Sequence, residues 1–506
     1  MSDRPGPELS AVQVLLLAPC AGALVTLSLA PFDWWLIGVM SCAVLAYLLS
    51  HCDPRQAFWR GWLYGFGLFG SGISWVYVSI HVHGNASAPL AGLLTILFCA
   101  GLALLHASFA WLYVRYIRPL PGGEALGFAA LWTLFEWLRS WLLTGFPWLY
   151  LGYAHVDTWI SGWAPLVGVY GLSFICAFTG SALLLIWRRR QGRSTLAYAA
   201  ALALLWGGGK AMQRIDWVAP APQDPLKVAL FQPNIPQEKK WDPVWYEPIL
   251  QQYQAAATTM AGNDIVLWPE SAIPAIYQRA RTFLDPIAAQ AAALQTTLIS
   301  GIPYRTDDGA YHNSIVALGN GEGLYHKQRL VPFGEFVPLE GLLRGLIAFF
   351  DLPMSTFTPG PAAQEPLLAG DYRIAPFICY EVVYPDLVAQ NSRRADLLVT
   401  ISNDSWFGDS IGPLQHLQMA QMRALENGRY MIRGTNNGIS AIINHRGQIV
   451  AQTLQFVATT LYGEVEIMRG NTVFSRLGSL PVILGCAAAI MALGLLSLVA
   501  RRVKYW

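Results

Sequence analysis

One cysteine, Cys379, lies within residues 375–385, at the end of a run that reads as a buried strand and outside every stretch long enough to cross a membrane. Upstream, Trp268, Pro269 and Glu270 form one short run, and residues 326–335 bring Lys327 and Glu335 together in another. A thiol, a carboxylate and an ammonium are the minimal equipment for acyl transfer through a thioester. The thiol must become a thiolate to attack an ester, which requires a nearby base or cation. On this reading Glu270 is the general base, taking the proton of Cys379 and later that of an incoming amine. Lys327 stabilises the oxyanion of the tetrahedral intermediate, and Glu335 keeps Lys327 protonated and oriented. Each residue also has a plainer reading: a free cysteine is commonly a small buried hydrophobe, Glu270 can cap a turn, and lysines are mostly solvated. A Cys–His pair is the rival chemistry, since His312, His326, His416 and His445 share the segment.

Strand-like runs must position these groups. Residues 226–232, 264–268, 297–301, 314–318, 373–378, 396–401 and 438–443 read as strands, with helix-like stretches at 246–260, 283–294 and 415–428. Strands alternating with helices over about 250 residues indicate an α/β domain with covered sheet faces. Glu270, Cys379 and the pair Asn403 and Asp404 each follow a strand end, where such folds place their chemistry.

The rest of the chain is membrane-like. Of its 506 residues 54% are hydrophobic and 13% charged, against about a quarter charged in soluble domains. The net charge of +2 argues against nucleic-acid binding, which needs a concentrated basic footprint. Apolar runs occupy 11–30, 34–50, 57–81, 88–115, 124–143, 164–187, 195–209 and 478–500, giving a reading of eight spans. Arg55 and Arg60, Arg115 and Arg118, Arg188 to Arg190 with Arg193, and Arg501, Arg502 and Lys504 fall in alternate loops. The positive-inside rule makes those loops cytoplasmic and puts both termini inside and the 210–477 segment outside. Three parts follow: a bundle over 1–210, a catalytic domain over 220–472 and a last helix over 478–500. Among seven cysteines only Cys379 belongs to the outer segment, so it has no domain partner for a disulfide and reads as a reactive thiol. No CxxC pair or histidine cluster suggests a metal, and no cofactor is expected. Glu136 and Arg139, near the end of the fifth run, suggest a pairing, a polar cavity facing the outer domain, or an interfacial anchor. Residues 341–354, with Arg344 and Asp351, are too short to span and fit an interfacial lid.

The three runs, in this order, resemble the nitrilase superfamily with its Glu-Lys-Cys triad, here Glu270, Lys327 and Cys379. With eight spans around an outer domain, the whole chain resembles the bacterial apolipoprotein N-acyltransferase family. Phe146 to Trp148, Gln232 to Asn234, residues 402–408 and Asn436 to Gly438 are also similar to it. The resemblance implies a polytopic α-helical membrane bundle carrying an αββα sandwich. It also implies a ping-pong reaction at the bacterial inner membrane, with the catalytic domain periplasmic. Cys379 would take the sn-1 acyl chain of a phospholipid, typically phosphatidylethanolamine. The thioester would then acylate the α-amine of the S-diacylglyceryl cysteine of an apolipoprotein. Glu335, Trp241, Tyr380 and Glu381 carry over as active-site support and substrate contacts. A cleft open laterally to lipid is expected, since each methylene moved into water costs about 0.8 kcal/mol. Nothing requires more than a monomer. Two other readings compete: a membrane-tethered amide or nitrile hydrolase, which leaves eight spans unexplained, and a transporter, which predicts charges at mid-membrane.

Overall fold

A computed structural model of the chain describes residues 9–120, 123–189, 192–332, 334–336 and 357–503. The expected lid at 341–354, with Arg344 and Asp351, lies outside them. The chain divides into two compact units, one of Met1–Tyr77, Ala88–Asp216 and Leu477–Trp506, the other of Val78–Ser87 and Trp217–Arg476.

The first unit is helical. Helices Ala11–Ser28, Trp35–Ser50, Pro54–Gly72, Ala88–Leu112, Phe128–Arg139, Ala164–Arg189, Arg193–Met212 and Leu480–Val503 fall on the eight expected runs. By length and composition four segments can cross a membrane: Ala11–Ser28, Ala88–Ile117, Trp159–Arg189 and Leu480–Leu498. Pro54–Gly72 and Val76–His83 make a fifth if the pair, bent by 62°, counts as one span. The remaining three helices are too short or too polar to qualify on their own, so the helices alone do not carry a count of eight. Glycines let the helices approach, as in other membrane bundles. A Cβ on Gly22 would lie 1.9 Å from the Tyr64 carbonyl oxygen, and one on Gly67 would lie 2.0 Å from that of Pro19.

The third run, read as continuous over 57–81, breaks after Gly72. Gly70, Ser71 and Gly72 are poor helix formers, and the chain beyond the bend finds other partners. Ser79 Oγ donates to the Trp406 carbonyl at 2.7 Å, and the His83 and Trp406 rings meet edge to face at 5.3 Å. Glu136 and Arg139 are buried within the bundle and do not serve as interfacial anchors. Glu136 accepts hydrogen bonds from Trp132 Nε1 and the Leu151 amide. The Arg139 guanidinium lies over the Phe69 and Tyr150 rings. Both side chains line a small cavity with His106.

The second unit is built on two sheets whose strands are numbered along the chain. The first sheet runs β14 (Thr459–Val465), β2 (Leu226–Gln232), β3 (Ile265–Leu267), β4 (Thr297–Arg305), β5 (Tyr311–Gly319), β7 (Leu324–His326). The second runs β13 (Ile449–Gln452), β12 (Ala441–Ile443), β11 (Met431–Thr435), β10 (Leu397–Ser402), β9 (Tyr372–Ile378), β8 (Leu367–Ala369), β6 (Gly321–Glu322). A short ladder joins β1 (Ala219–Pro220) to β15 (Met468–Arg469). Each large sheet is parallel at its centre, β2–β3–β4 in one and β9–β10–β11 in the other.

The alternation of strand side chains assigns the layers. Val228, Leu230, Leu267 and Ile299 of the first sheet pack with Ile374, Ile378, Val399 and Ile401 of the second. The intervening Ala229, Phe231, Val266 and Trp268 turn the other way, onto helices Tyr246–Met260 and Tyr277–Ala293. Helices Pro385–Ser392 and Gly412–Asn427 pack on the second sheet at β9 and β11. The order is helix, sheet, sheet, helix. Of the strands the sequence did not suggest, β11 carries the buried Arg433 at its centre, which breaks an otherwise apolar pattern.

Candidate active site

Glu270 sits three residues beyond the end of β3 and is buried. Its approach to β4 requires a glycine there: a Cβ on Gly301 would lie 2.7 Å from both Glu270 Cα and the Pro269 carbonyl oxygen. One carboxylate oxygen, Oε1, accepts from Asn313 Nδ2 at 2.7 Å. The other, Oε2, accepts from the Asn403 backbone N–H at 2.8 Å. Lys240 reaches in and donates to the Glu270 carbonyl oxygen at 2.9 Å.

Lys327 follows β7 and is 1% exposed. Its Nζ donates to Glu335 Oε1 at 2.9 Å, lies 2.9 Å from Glu335 Oε2, and stands 3.6 Å from Glu270 Oε1. Asn313 Nδ2 also donates to Glu335 Oε1, at 2.8 Å, so the ammonium and one amide together bridge the two carboxylates. Burial alone would lower the lysine's pKa. The charges of Glu335 and Glu270 outweigh burial and hold it above its ordinary value. Lys327 is therefore cationic, and hydrogen-bonded in place by Glu335.

Cys379 is the first residue after β9 and takes φ +51°, a left-handed conformation that a non-glycine residue holds only when its surroundings enforce it. Glu381 supplies part of that enforcement. Its Oε2 accepts from the Ile378 N–H at 2.8 Å. Its Oε1 accepts from Tyr325 Oη at 2.9 Å and from the amides of Gln328 and Arg329 at 2.6 and 3.2 Å. One side chain thus ties the cysteine elbow to the segment that carries Lys327. Burial raises the Cys379 pKa and nearby Glu270 raises it further, while Lys327 opposes them; the net shift is upward. The resting group is a thiol, and attack by sulfur requires a base to remove its proton.

Of the other residues proposed from sequence, Tyr380 is buried with its ring edge-on to Tyr384 at 5.3 Å. Trp241 is 38% exposed, just after helix Gln237–Lys240, and it is its neighbour Lys240 that contacts Glu270. The contacts seen for His416, His312 and His326 are to groups other than the Cys379 sulfur. His416 Nε2 lies 3.1 Å from the Cys379 carbonyl oxygen, and its Nδ1 faces Asp404 and Arg433. His312 and His326 stack on each other at 4.4 Å, with Nδ1 of each bonded to Thr358 or Ser314. Asn313, Lys240 and Arg433 were not singled out in the sequence, and Ser402 only as the first residue of the 402–408 run. For Asn313, Ser402 and Arg433 the available signal was a polar side chain inside a largely buried strand; Lys240, at the end of helix Gln237–Lys240, has no such signal.

Alanine at position 381 leaves three backbone amides and one phenol without their acceptor. The expected cost is about 2–4 kcal/mol of stability with a loss of transfer rate, measured by thermal melting and turnover of the purified protein. Burial pushes the Glu381 carboxyl from about 4.5 up to about 7, against the pull of the Ile378 and Gln328 amides. The folded form then binds more protons than the unfolded one between those values, so this group's contribution to stability falls as pH rises through that window. The melting temperature of the wild type minus that of Glu381→Gln should therefore shrink from pH 5 to pH 8.

Residues 21–182 match the apolipoprotein N-acyltransferase N-terminal domain, and residues 227–470 match the carbon-nitrogen hydrolase family. The chain is 49% identical to the apolipoprotein N-acyltransferase of Pseudomonas syringae, covering 93% of this chain and 94% of that one. It is 49% identical to that of Azotobacter vinelandii over 95% and 94% of the two chains. Identity to the Vibrio parahaemolyticus protein of the same name is 38%, over 94% and 96%. A buried carboxylate–ammonium–thiol site in a carbon-nitrogen hydrolase unit, attached to apolar helices and related to these proteins over nearly its whole length, places the chain in the apolipoprotein N-acyltransferase family.

Proposed function

We propose that the chain moves an acyl group from a membrane phospholipid to the N-terminal amine of a diacylglyceryl-modified apolipoprotein, through a thioester on Cys379. Glu270 removes the thiol proton as sulfur attacks the sn-1 ester carbonyl of a lipid such as phosphatidylethanolamine. The C–S bond forms, and Lys327 stabilises the oxyanion. Glu270 then returns the proton to the departing alkoxide, which leaves as lysophospholipid. In the second half the lipoprotein amine attacks the thioester, Glu270 takes its proton, and the thiol is regenerated as the amide forms. Glu335 keeps Lys327 charged throughout, Glu381 holds the elbow, and Tyr380 and Trp241 contact substrate.

The observation that carries this reading is the convergence of Glu270, Lys327 and Glu335 in one hydrogen-bonded cluster, of which Glu270 and Lys327 also act on the Cys379 thiol. Apolar helices in the same chain support a lipid donor, since the ester of a phospholipid and a lipid-anchored amine both lie at a membrane surface. We assign the bundle to the bacterial inner membrane with both termini cytoplasmic and the catalytic unit periplasmic, acting as a monomer. The test is purified protein in detergent given phosphatidylethanolamine labelled in its sn-1 chain, with and without a diacylglyceryl-cysteine peptide. Label should move to the peptide amine. Label released as free fatty acid at the same rate in both samples would favour a hydrolase instead.

A further inference from the structure

Beneath the cysteine lies a second buried polar cluster that the reaction as described does not use. Ser402, at the end of β10, sets its Oγ 3.3 Å from Cys379 Sγ and 2.6 Å from Asp404 Oδ1. Arg433 Nη2 donates to Asp404 Oδ2 at 2.7 Å. His416 Nε2 faces the Cys379 carbonyl oxygen, which can only accept, so Nε2 carries a ring proton; Nδ1 lies between Arg433 Nη2 at 3.2 Å and Asp404 Oδ1 at 3.3 Å. Ser402, Asp404, His416 and Arg433 are all fully or almost fully buried. Close packing fixes the carboxylate as well, because a Cβ on Gly438 would lie 2.2 Å from Asp404 Oδ2.

The hydroxyl of Ser402 has one proton and two acceptors. While Cys379 is a thiol, that proton belongs to Asp404, a full anion. Burial works against that anion, but Arg433 beside it holds its carboxyl below the usual range. Because Arg433 compensates the charge, Asp404 can release the hydroxyl when sulfur becomes the stronger acceptor. His416 meanwhile pins the carbonyl of the strained residue, opposite the Glu381 contact to Ile378.

We propose that Ser402 donates a hydrogen bond to the sulfur of Cys379 in the thiolate stage, and that Asp404, Arg433 and His416 are positioning residues for that donor and for the Cys379 backbone. The inference rests on Cys379 being the nucleophile, and its test separates the two. Ser402→Ala removes one oxygen and leaves Asp404 on Arg433, so the fold is expected to hold. In the full-length protein without lipid, alkylation of Cys379 by iodoacetamide is followed at fixed pH by mass spectrometry of the peptide containing it. Losing a donor to the thiolate raises the thiol pKa by about one unit and slows alkylation about tenfold. Turnover with phosphatidylethanolamine should fall about 10- to 100-fold, with KM for the lipid unchanged. Ser402→Thr, which keeps the hydroxyl, should restore both readouts to within about threefold of the wild type. An alanine variant matching the wild type in alkylation and turnover would overturn the proposal. Transfer surviving in Cys379→Ala would instead overturn the nucleophile assignment.

Discussion

Cys379→Ala is expected to abolish transfer, with turnover falling about 10⁴-fold or more, while the protein keeps its fold. The two halves of that expectation have separate causes. The sulfur is the atom that carries the acyl group, so neither lysophospholipid nor acylated amine can form without it. The fold should survive because the resting thiol is neutral and small. Removing it deletes no charge, and Asp404 keeps its bond from Arg433. The stability cost is that of one buried sulfur, about 1 kcal/mol. Cys379→Ser should be nearly as inactive, because a hydroxyl is much harder to ionise than a thiol and Glu270 is its only assigned base. Lysophospholipid release and melting temperature, read on the same samples, check both halves.

Lys327→Met carries the second large effect, and here activity and stability should fall together. Methionine matches the length of the lysine stem but leaves Glu270 and Glu335 facing each other without the ammonium. Breaking a buried ion pair on one side typically costs 3–5 kcal/mol. The penalty is to be relieved by proton uptake on one carboxylate, since two carboxylates sharing a site raise one pKa. A carboxyl whose folded pKa is raised loses stability as pH rises, so the variant should lie closest to wild type in acid and furthest from it at neutral pH. Turnover should fall about 10³-fold, because the oxyanion loses its cation and a proton held by the carboxylate pair compromises Glu270 as base. Lys327→Arg is not expected to rescue, since a planar guanidinium does not fit a site built for a compact ammonium. A methionine variant keeping more than a tenth of wild-type turnover would remove Lys327 from the mechanism.

Much of the site is legible along the chain because its members lie just beyond strand ends. Glu270 and Cys379 each follow a short apolar run, and Lys327 follows β7, so the order of carboxylate, ammonium and thiol can be read directly. The groups that hold them cannot. Asn313 bridges Glu270 and Glu335 only because β5 lies between β4 and β7. Ser402, Asp404, His416 and Arg433 come from a strand, a turn, a helix and another strand, and their convergence depends on β10 and β11 pairing in parallel. The sequence gives Arg433 no mark beyond a charge in an apolar run. The bend after Gly72 was hidden because residues 57–81 are apolar on both sides of it. Beyond the bend Ser79 bonds to the Trp406 carbonyl, more than three hundred residues away.

The central claim is that an acyl group rests on Cys379 between donor and acceptor. Intact-mass analysis of the detergent-solubilised protein incubated with phosphatidylethanolamine, wild type beside Cys379→Ala, tests it directly. The predicted result is a mass increase of one acyl chain in the wild type alone, lost on adding a diacylglyceryl-cysteine peptide. An unmodified wild type that still releases lysophospholipid and acylates the peptide would contradict the claim, and the acyl group would have to pass from donor to acceptor without resting on the protein.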